Sequence, residues 1–322
     1  MLLRKKVRRA LKSGYVELSA VPLQVAYPAL RRLARMSPHR LLNKALIGAF
    51  GPAFLANRRP HHEFECETVF GCRMAGNTRD LIPALVDLFG ILEENLTYWF
   101  EDQLQPGDVF VDVGAHFGYF TLFAASRVGS AGGVVAVEAS PATYRLLQHN
   151  IALNPTLDNI RAVNLAASDT GGTLPVYRSQ EETTGLTSLN PRPGASLEAK
   201  VASKTLWEIL TPDERKRMRI VKIDVEGAEF QVVEGLLAHG LKDTRPDLEI
   251  VVETSHDWTY LDRRGAVDDM LTLFRAHGLN AYAMKKETFV DPGTMSRPLR
   301  VWKDPGWGYF DLVFSRRDQD TL

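Results

Sequence analysis

Four short apolar runs in this chain end on, or one residue past, a carboxylate. They are Val109-Phe-Val-Asp112, Val134-Val-Ala-Val-Glu138, Ile220-Val-Lys-Ile-Asp224 and Ile250-Val-Val-Glu253. Runs that are apolar without alternation read as strands covered on both faces. In an open sheet of such strands, ligands bind beyond the carboxyl ends. Asp112, Glu138, Asp224 and Glu253 are therefore expected along one edge, where so many acids suit a hydroxylated or cationic ligand rather than one made only of phosphate. Ser168 and Asp169, after the third strand, join the same edge, and His256 follows the fifth.

The first run turns on glycines, Gly114-Ala115-His116-Phe117-Gly118, into the apolar stretch from Tyr119. Glycines let the backbone approach a ligand, and the helix that follows offers unpaired N–H groups at its start. Asp112 is placed for a positively charged amino-acid end of a ligand. Glu138, at the end of strand two, can accept both hydroxyls of a ribose, as in proteins that bind NAD or S-adenosylmethionine. A dinucleotide fingerprint needs G-x-G-x-x-G, and this turn lacks the extra glycine. At strand four, Lys222-Ile-Asp-Val-Glu-Gly-Ala-Glu229 puts Asp224 above the sheet, with Glu226 and Glu229 in the first helical turn, where acids also complement the helix dipole. Lys222 interrupts an apolar strand and needs an acidic partner, because a lone buried ammonium is costly.

These residues need a scaffold. Strands are expected at Val109–Val113, Val134–Glu138, Ile160–Leu165, Ile220–Ile223, Leu248–Glu253, Asn280–Met284 and Tyr309–Phe314. Helices are expected over Tyr119–Val128, Ala142–Leu153, Glu226–Ala238 and Ala266–His277. The alternation predicts a doubly wound α/β sheet, mostly parallel with an antiparallel C-terminal strand. Residues 166–205 are polar and rich in glycine and proline, and read as a lid or part of the substrate site. Before the first strand come a hairpin around Gly71 and helices at Leu81–Phe89 and Leu96–Leu104, giving three parts at 1–60, 61–105 and 106–322.

The chain of 322 residues has no formal net charge, but residues 1–60 carry 13 Lys/Arg against one acid, Glu17. This basic arm reads as helical in pieces, Leu23–Met36 and Leu41–Phe50 among them, with breaks at Pro22, Pro28, Pro38 and Pro52. Its charge suits peripheral contact with an anionic membrane. No aromatic interleaving suggests nucleic acid. No run spans a bilayer, no signal peptide is evident, and Cys66 and Cys72 make neither a disulfide framework nor a zinc site, so a cytoplasmic setting is expected.

Three stretches together, VFVDVGAHFGYFTL, VVAVEASPATYRLLQHNIALN and above all RIVKIDVEGAEFQVVEG, resemble the FkbM-type family of class I S-adenosylmethionine-dependent methyltransferases over roughly residues 64–256. The resemblance implies a Rossmann-like fold and S-adenosylmethionine as cofactor. It implies O-methylation of a small-molecule or glycan acceptor, such as a glycan, glycolipid or secondary metabolite. It places Asp112, Gly114 and Gly118 around the methionine end, Glu138 at the ribose, and Ser168 and Asp169 near the adenine, with Ala115 and His116 of the same turn also binding the cofactor. Gly90-Ile-Leu-Glu93-Glu resembles the family's short Gly-x-x-Glu element and adds Glu93. His116 stands where the family often has Asn. Asp224, Glu253 and His256 are the candidate bases for a hydroxyl nucleophile, His256 having the most suitable unperturbed pKa. Hard oxygen ligands there would suit Mg²⁺, but the spacing does not demand a metal and none is predicted. Two other readings compete: an NAD-dependent oxidoreductase or epimerase, and a non-catalytic membrane-associated protein retaining the fold.

Overall fold

The structure is a computed structural model and describes residues 23–36, 61–178, 187–189, 194–255, 266–285, 297–306 and 309–322. Helix α1 (Leu23–Met36) precedes a hairpin of β1 (Glu63–Glu67) and β2 (Arg73–Asn77), then α2 (Leu81–Phe89) and α3 (Glu94–Gln103). Next come β3 (Val109–Val113), α4 (Tyr119–Val128), β4 (Gly133–Val137), α5 (Pro141–Ala152) and β5 (Ile160–Val163). Four further strands follow, β6 (Ala166–Ala167), β7 (Gly172–Arg178), β8 (Thr187–Ser188) and β9 (Ser196–Lys204), with short helices α6 (Leu206–Ile209) and α7 (Pro212–Arg217). The chain ends with β10 (Met218–Ile223), α8 (Glu229–Leu237), β11 (Glu249–Ser255), α9 (Ala266–Ala276), β12 (Asn280–Lys285), β13 (Leu299–Val301) and β14 (Tyr309–Ser315).

The main sheet has eight strands in the order β13-β12-β14-β11-β10-β3-β4-β5. Strands β5, β4, β3, β10 and β11 are mutually parallel, and β14 runs antiparallel between β11 and β12. The sheet is therefore the mostly parallel, doubly wound one expected, with a reversed C-terminal strand. From β3 the chain moves to β4 on one side, whereas β10 lies on the other. The strand order thus reverses between β3 and β10, where open α/β sheets form their ligand crevice.

Both faces of the sheet are covered, as the uninterrupted apolar runs require. Val109, Val111, Val113, Val221 and Ile223 join the core under α8 and α9, while Phe110, Ile220 and Val251 pack with α3, α4 and the β1–β2 hairpin. The 61–105 segment shares this second core through Phe64, Met74, Val86, Trp99 and Phe100. Asn150 of α5, fully buried, ties the hairpin down. Its amide donates to the carbonyls of Ala75 (3.1 Å) and Phe117 (2.8 Å), and its oxygen accepts the Ala75 N–H (2.8 Å).

Within residues 166–205, read as a lid or part of the substrate site, β6, β9, β7 and β8 form a separate sheet in that order. Pro175 lies inside β7, tolerated because, among the described residues, β8 pairs only with Tyr177 and Arg178 and not with Pro175. The third strand ends at Val163, and Ala166–Ala167 pair with β9 instead. Pro28 does not break its helix. It is an exposed residue within α1, whose Tyr27, Leu30 and Ala34 are buried. The expected helix at Leu41–Phe50 lies outside the described residues.

Asn150→Ala would leave three backbone groups of β2 and the glycine turn without their partner. We expect a loss of about 3 kcal/mol in urea unfolding, at the upper end for buried unsatisfied groups.

Candidate active site

At the β3/β10 reversal lies an open cavity. Strand register explains its charged floor. Lys222 of β10 sits directly opposite Asp112 of β3, on the same sheet face as Ile220 and Phe110. Lys222 is buried. Its Nζ lies 2.9 Å from Asp224 Oδ2 and 5.0 Å from the centre of the Phe120 ring. Burial alone would lower its pKa, but Asp224, Asp112 and Glu93 outweigh it and hold the ammonium charged. The expected pairing of Lys222 with a motif acid is found.

Two turns meet above this floor. Gly114 has φ 81°, and a Cβ there would stand 1.8 Å from the Asp224 carbonyl oxygen. The Asp224 N–H donates to Val113 O at 3.0 Å, and the Gly114 and Ala115 N–H groups donate to Val137 O at 2.9 and 3.0 Å. Only glycine permits this backbone-on-backbone contact.

Asp112 is almost fully buried. Oδ2 accepts the Thr121 hydroxyl at 2.6 Å, while Oδ1 has no hydrogen-bond partner among the described residues. Burial raises its pKa, opposed by Lys222. Glu138 directly follows β4. Its Oε2 accepts the His116 N–H and its Oε1 the Ser140 N–H, both at 2.8 Å. Burial pushes its pKa up to about 7 against those two bonds. Its carboxylate is thus fixed by backbone, with lone pairs left for a diol. His116, at φ 52°, sits 3.6 Å through Nε2 from Asp80 Oδ2, and burial lowers its pKa despite Asp80 and Asp224.

On the acceptor side, oxygens of Asp224, Glu229 and Glu253 lie within 4.8 Å of one another, a spacing that a divalent cation could bridge. Here Lys222 already supplies a fixed positive charge to Asp224. Glu229 serves its own turn: it accepts the Val225 N–H and the Gly227 N–H at 3.0 Å, and burial raises its pKa to about 7. Glu226, at φ 57°, lines the cavity and its carbonyl accepts the Ser188 hydroxyl at 2.8 Å.

Of the expected site residues, Glu93, Asp112, Gly114, Ala115, His116, Glu138, Asp224 and Glu253 line the cavity together. Gly118 does not; it caps α4 at φ 95°, where a Cβ would lie 2.6 Å from Leu147 Cδ1. Ser168 and Asp169 are also absent from the lining, because β6 carries the chain into the second sheet. Ala166 and Ala167 line it instead, with Val176, Ser188 and Leu189 from the insertion. Ser140, which holds Glu138, also donates its hydroxyl to Glu198 of β9 at 2.8 Å. His256 lies outside the described residues. The pattern of strand ends gave no sign of Ile82 and Leu92, which line the cavity from the segment before β3.

The fold and site define a doubly wound α/β protein with an acidic ligand cavity at its topological switch point. The model of the Methyltransferase FkbM domain matches residues 112–280, and the chain belongs to that methyltransferase family. It is 29% identical over 160 residues to "Methyltransferase sdnD" of Sordaria araneosa, covering 41% of this chain and 61% of that protein's length. It is 29% identical over 209 residues to "Methyltransferase 1" of Beauveria bassiana, covering 58% and 78%. Among solved structures, the FkbM methyltransferase of Methylobacillus flagellatus superposes with TM-score 0.38 at 11% identity, over 72% of this chain and 53% of that one. A SAM-dependent O-methyltransferase of Thermotoga maritima gives 0.40 at 13%, over 80% and 79%.

A carboxyl whose folded pKa is raised costs stability as pH rises from its unfolded value to its folded one. For Glu138 that window is pH 4.5 to about 7. Glu138→Gln removes this cost. In ligand-free protein, the stability difference should move toward the variant by about 3 kcal/mol between pH 4.5 and 7.5, measured by urea unfolding across that range.

Proposed function

We propose that this protein transfers a methyl group from S-adenosylmethionine to a hydroxyl of a glycan, glycolipid or secondary metabolite. One observation carries the cofactor assignment. Glu138 is a buried carboxylate with each oxygen held by a backbone N–H and its remaining lone pairs free for a ribose diol. The rest of the cavity fits the same ligand. Asp112 Oδ1, buried and without a hydrogen-bond partner among the described residues, suits an amino group beside the Gly114 turn. Ala166, Ala167, Val176 and Leu189 give an apolar slot for a base. The acids outnumber Lys222, which favours a cationic ligand. The cofactor would supply a methyl group on a sulfonium.

The chain's own part is to place the acceptor oxygen and take its proton. With the methyl group coming from the bound cofactor, the hydroxyl proton would pass to a carboxylate of this chain. Asp224 fills that role: Lys222 orients it through a 2.9 Å contact, and it shares the acceptor end of the cavity with Glu253. Holding nucleophile and methyl group in line supplies much of the remaining rate. Among the described residues, no helix is long and apolar enough to cross a membrane. Contact with an anionic membrane surface rests on arm residues outside the described set. Within α1, Arg32 and Leu33 face solvent, while Arg31 and Arg35 bond to α2.

Titration calorimetry of the whole chain should give heat with S-adenosylmethionine and none with NAD. Glu138→Ala should weaken the first at least tenfold; unchanged affinity would remove the ribose assignment. Asp224→Asn should leave cofactor affinity within about threefold and lower methyl transfer by about 10²-fold or more, the scale of a lost general base.

A further inference from the structure

The basic helix before the family-matched region makes an unusually specific contact with the methyltransferase body. Asp87 of α2 is fully buried. The Tyr27 hydroxyl donates to its Oδ2 at 2.9 Å, Arg31 Nε lies 2.8 Å from its Oδ1, and His62 Nε2 stands 3.6 Å from Oδ2. Arg35 reaches three backbone carbonyls. It donates to Asp87 O through Nε at 2.9 Å, to Val86 O through Nη2 at 3.0 Å and to Glu67 O through Nη1 at 2.7 Å.

Those acceptors explain what the contact does. The Asp87 carbonyl is among the last of α2, which lack an intrahelical partner, the Val86 carbonyl is the one bonded by the helix cap, and a cation there also complements the helix dipole. Gly90 closes the same end at φ 74°, its N–H donating to Val86 O at 2.8 Å. Three residues later comes Glu93, a non-glycine residue at φ 43° that lines the cavity. Its carboxylate is one of the three that keep Lys222 charged. The loop is tied at its other end by Thr97, which donates its hydroxyl to Leu92 O at 2.6 Å and its N–H to Glu93 O at 2.9 Å. A left-handed glutamate between two fixed helix ends holds its place only while both ends are held.

We propose that Arg35 is a positioning residue for the cofactor pocket. By closing the C-terminal end of α2 it sets the Gly90–Glu93 loop, and so the place of the Glu93 carboxylate on the cavity wall. Part of the basic arm is then a component of the site. This inference rests on the S-adenosylmethionine reading above.

The test is a double-mutant cycle on the full chain, read as S-adenosylmethionine affinity by calorimetry, with thermal unfolding run alongside. Arg35→Ala and Glu93→Ala should each weaken binding about tenfold, and the double variant should bind no more weakly than Glu93→Ala alone. Arg35→Lys should be as weak as Arg35→Ala, because an ammonium cannot serve three carbonyls as a fork does. If Arg35→Ala does not fold, Arg35→Lys replaces it in the cycle. Multiplying losses in the double variant would overturn the proposal, since they would mean that Arg35 acts on general stability and not through Glu93. Wild-type affinity in Arg35→Lys would overturn it too. Absence of binding by the wild-type chain would instead remove the cofactor reading itself.

Discussion

The contact between Gly114 and the Asp224 carbonyl is the constraint on which the site depends. Two parallel strands, β3 and β10, leave the sheet side by side, and their exit turns must pass without a side chain between them. Once they do, Asp112 and Lys222 lie opposite each other on the floor and Asp224 rises beside them. The same Gly114 turn hydrogen-bonds to Val137, one residue before Glu138. Backbone geometry thereby brings three carboxylates from three strands together, and the helices and hairpin act to keep that geometry rigid.

The electrostatics follow from this placement. Among the described residues, Lys222 is the one cation on the cavity lining, and it is already committed to Asp224. Burial of Asp112, Glu138 and Glu229 raises the pKa of each, and among the described lining residues carboxylates outnumber the one ammonium. A ligand bringing positive charge and hydroxyl donors relieves that excess. A pyrophosphate would add to it, which agrees with a glycine turn too sparing of glycines for a dinucleotide.

Much of this was legible in the sequence because it is local. An apolar run ending in an acid marks a strand end, and four such ends on a parallel sheet share an edge by topology. Lys222 announced its partner because an isolated ammonium cannot be buried. The parts that escaped are those made by distant segments. Ser168 and Asp169 fell off the cavity because the chain leaves the main sheet at Ala166 to pair with β9, a strand whose sequence, SLEAKVASK, is half exposed and carries no buried-strand signature. Ile82 comes from α2 and Leu92 from the loop after it, and α2 is held by Asp87, a side chain with no periodic pattern to betray it. Pro28 marked a break that the packing of Tyr27, Leu30 and Ala34 overrides.

A crystal structure of the full chain with S-adenosylhomocysteine would test the central claim most directly. The account predicts both ribose hydroxyls on the Glu138 carboxylate, the amino group at Asp112 beside the Gly114 turn, and the sulfur facing Asp224. A ligand bound elsewhere, or one in this cavity whose ribose makes no contact with Glu138, would contradict it.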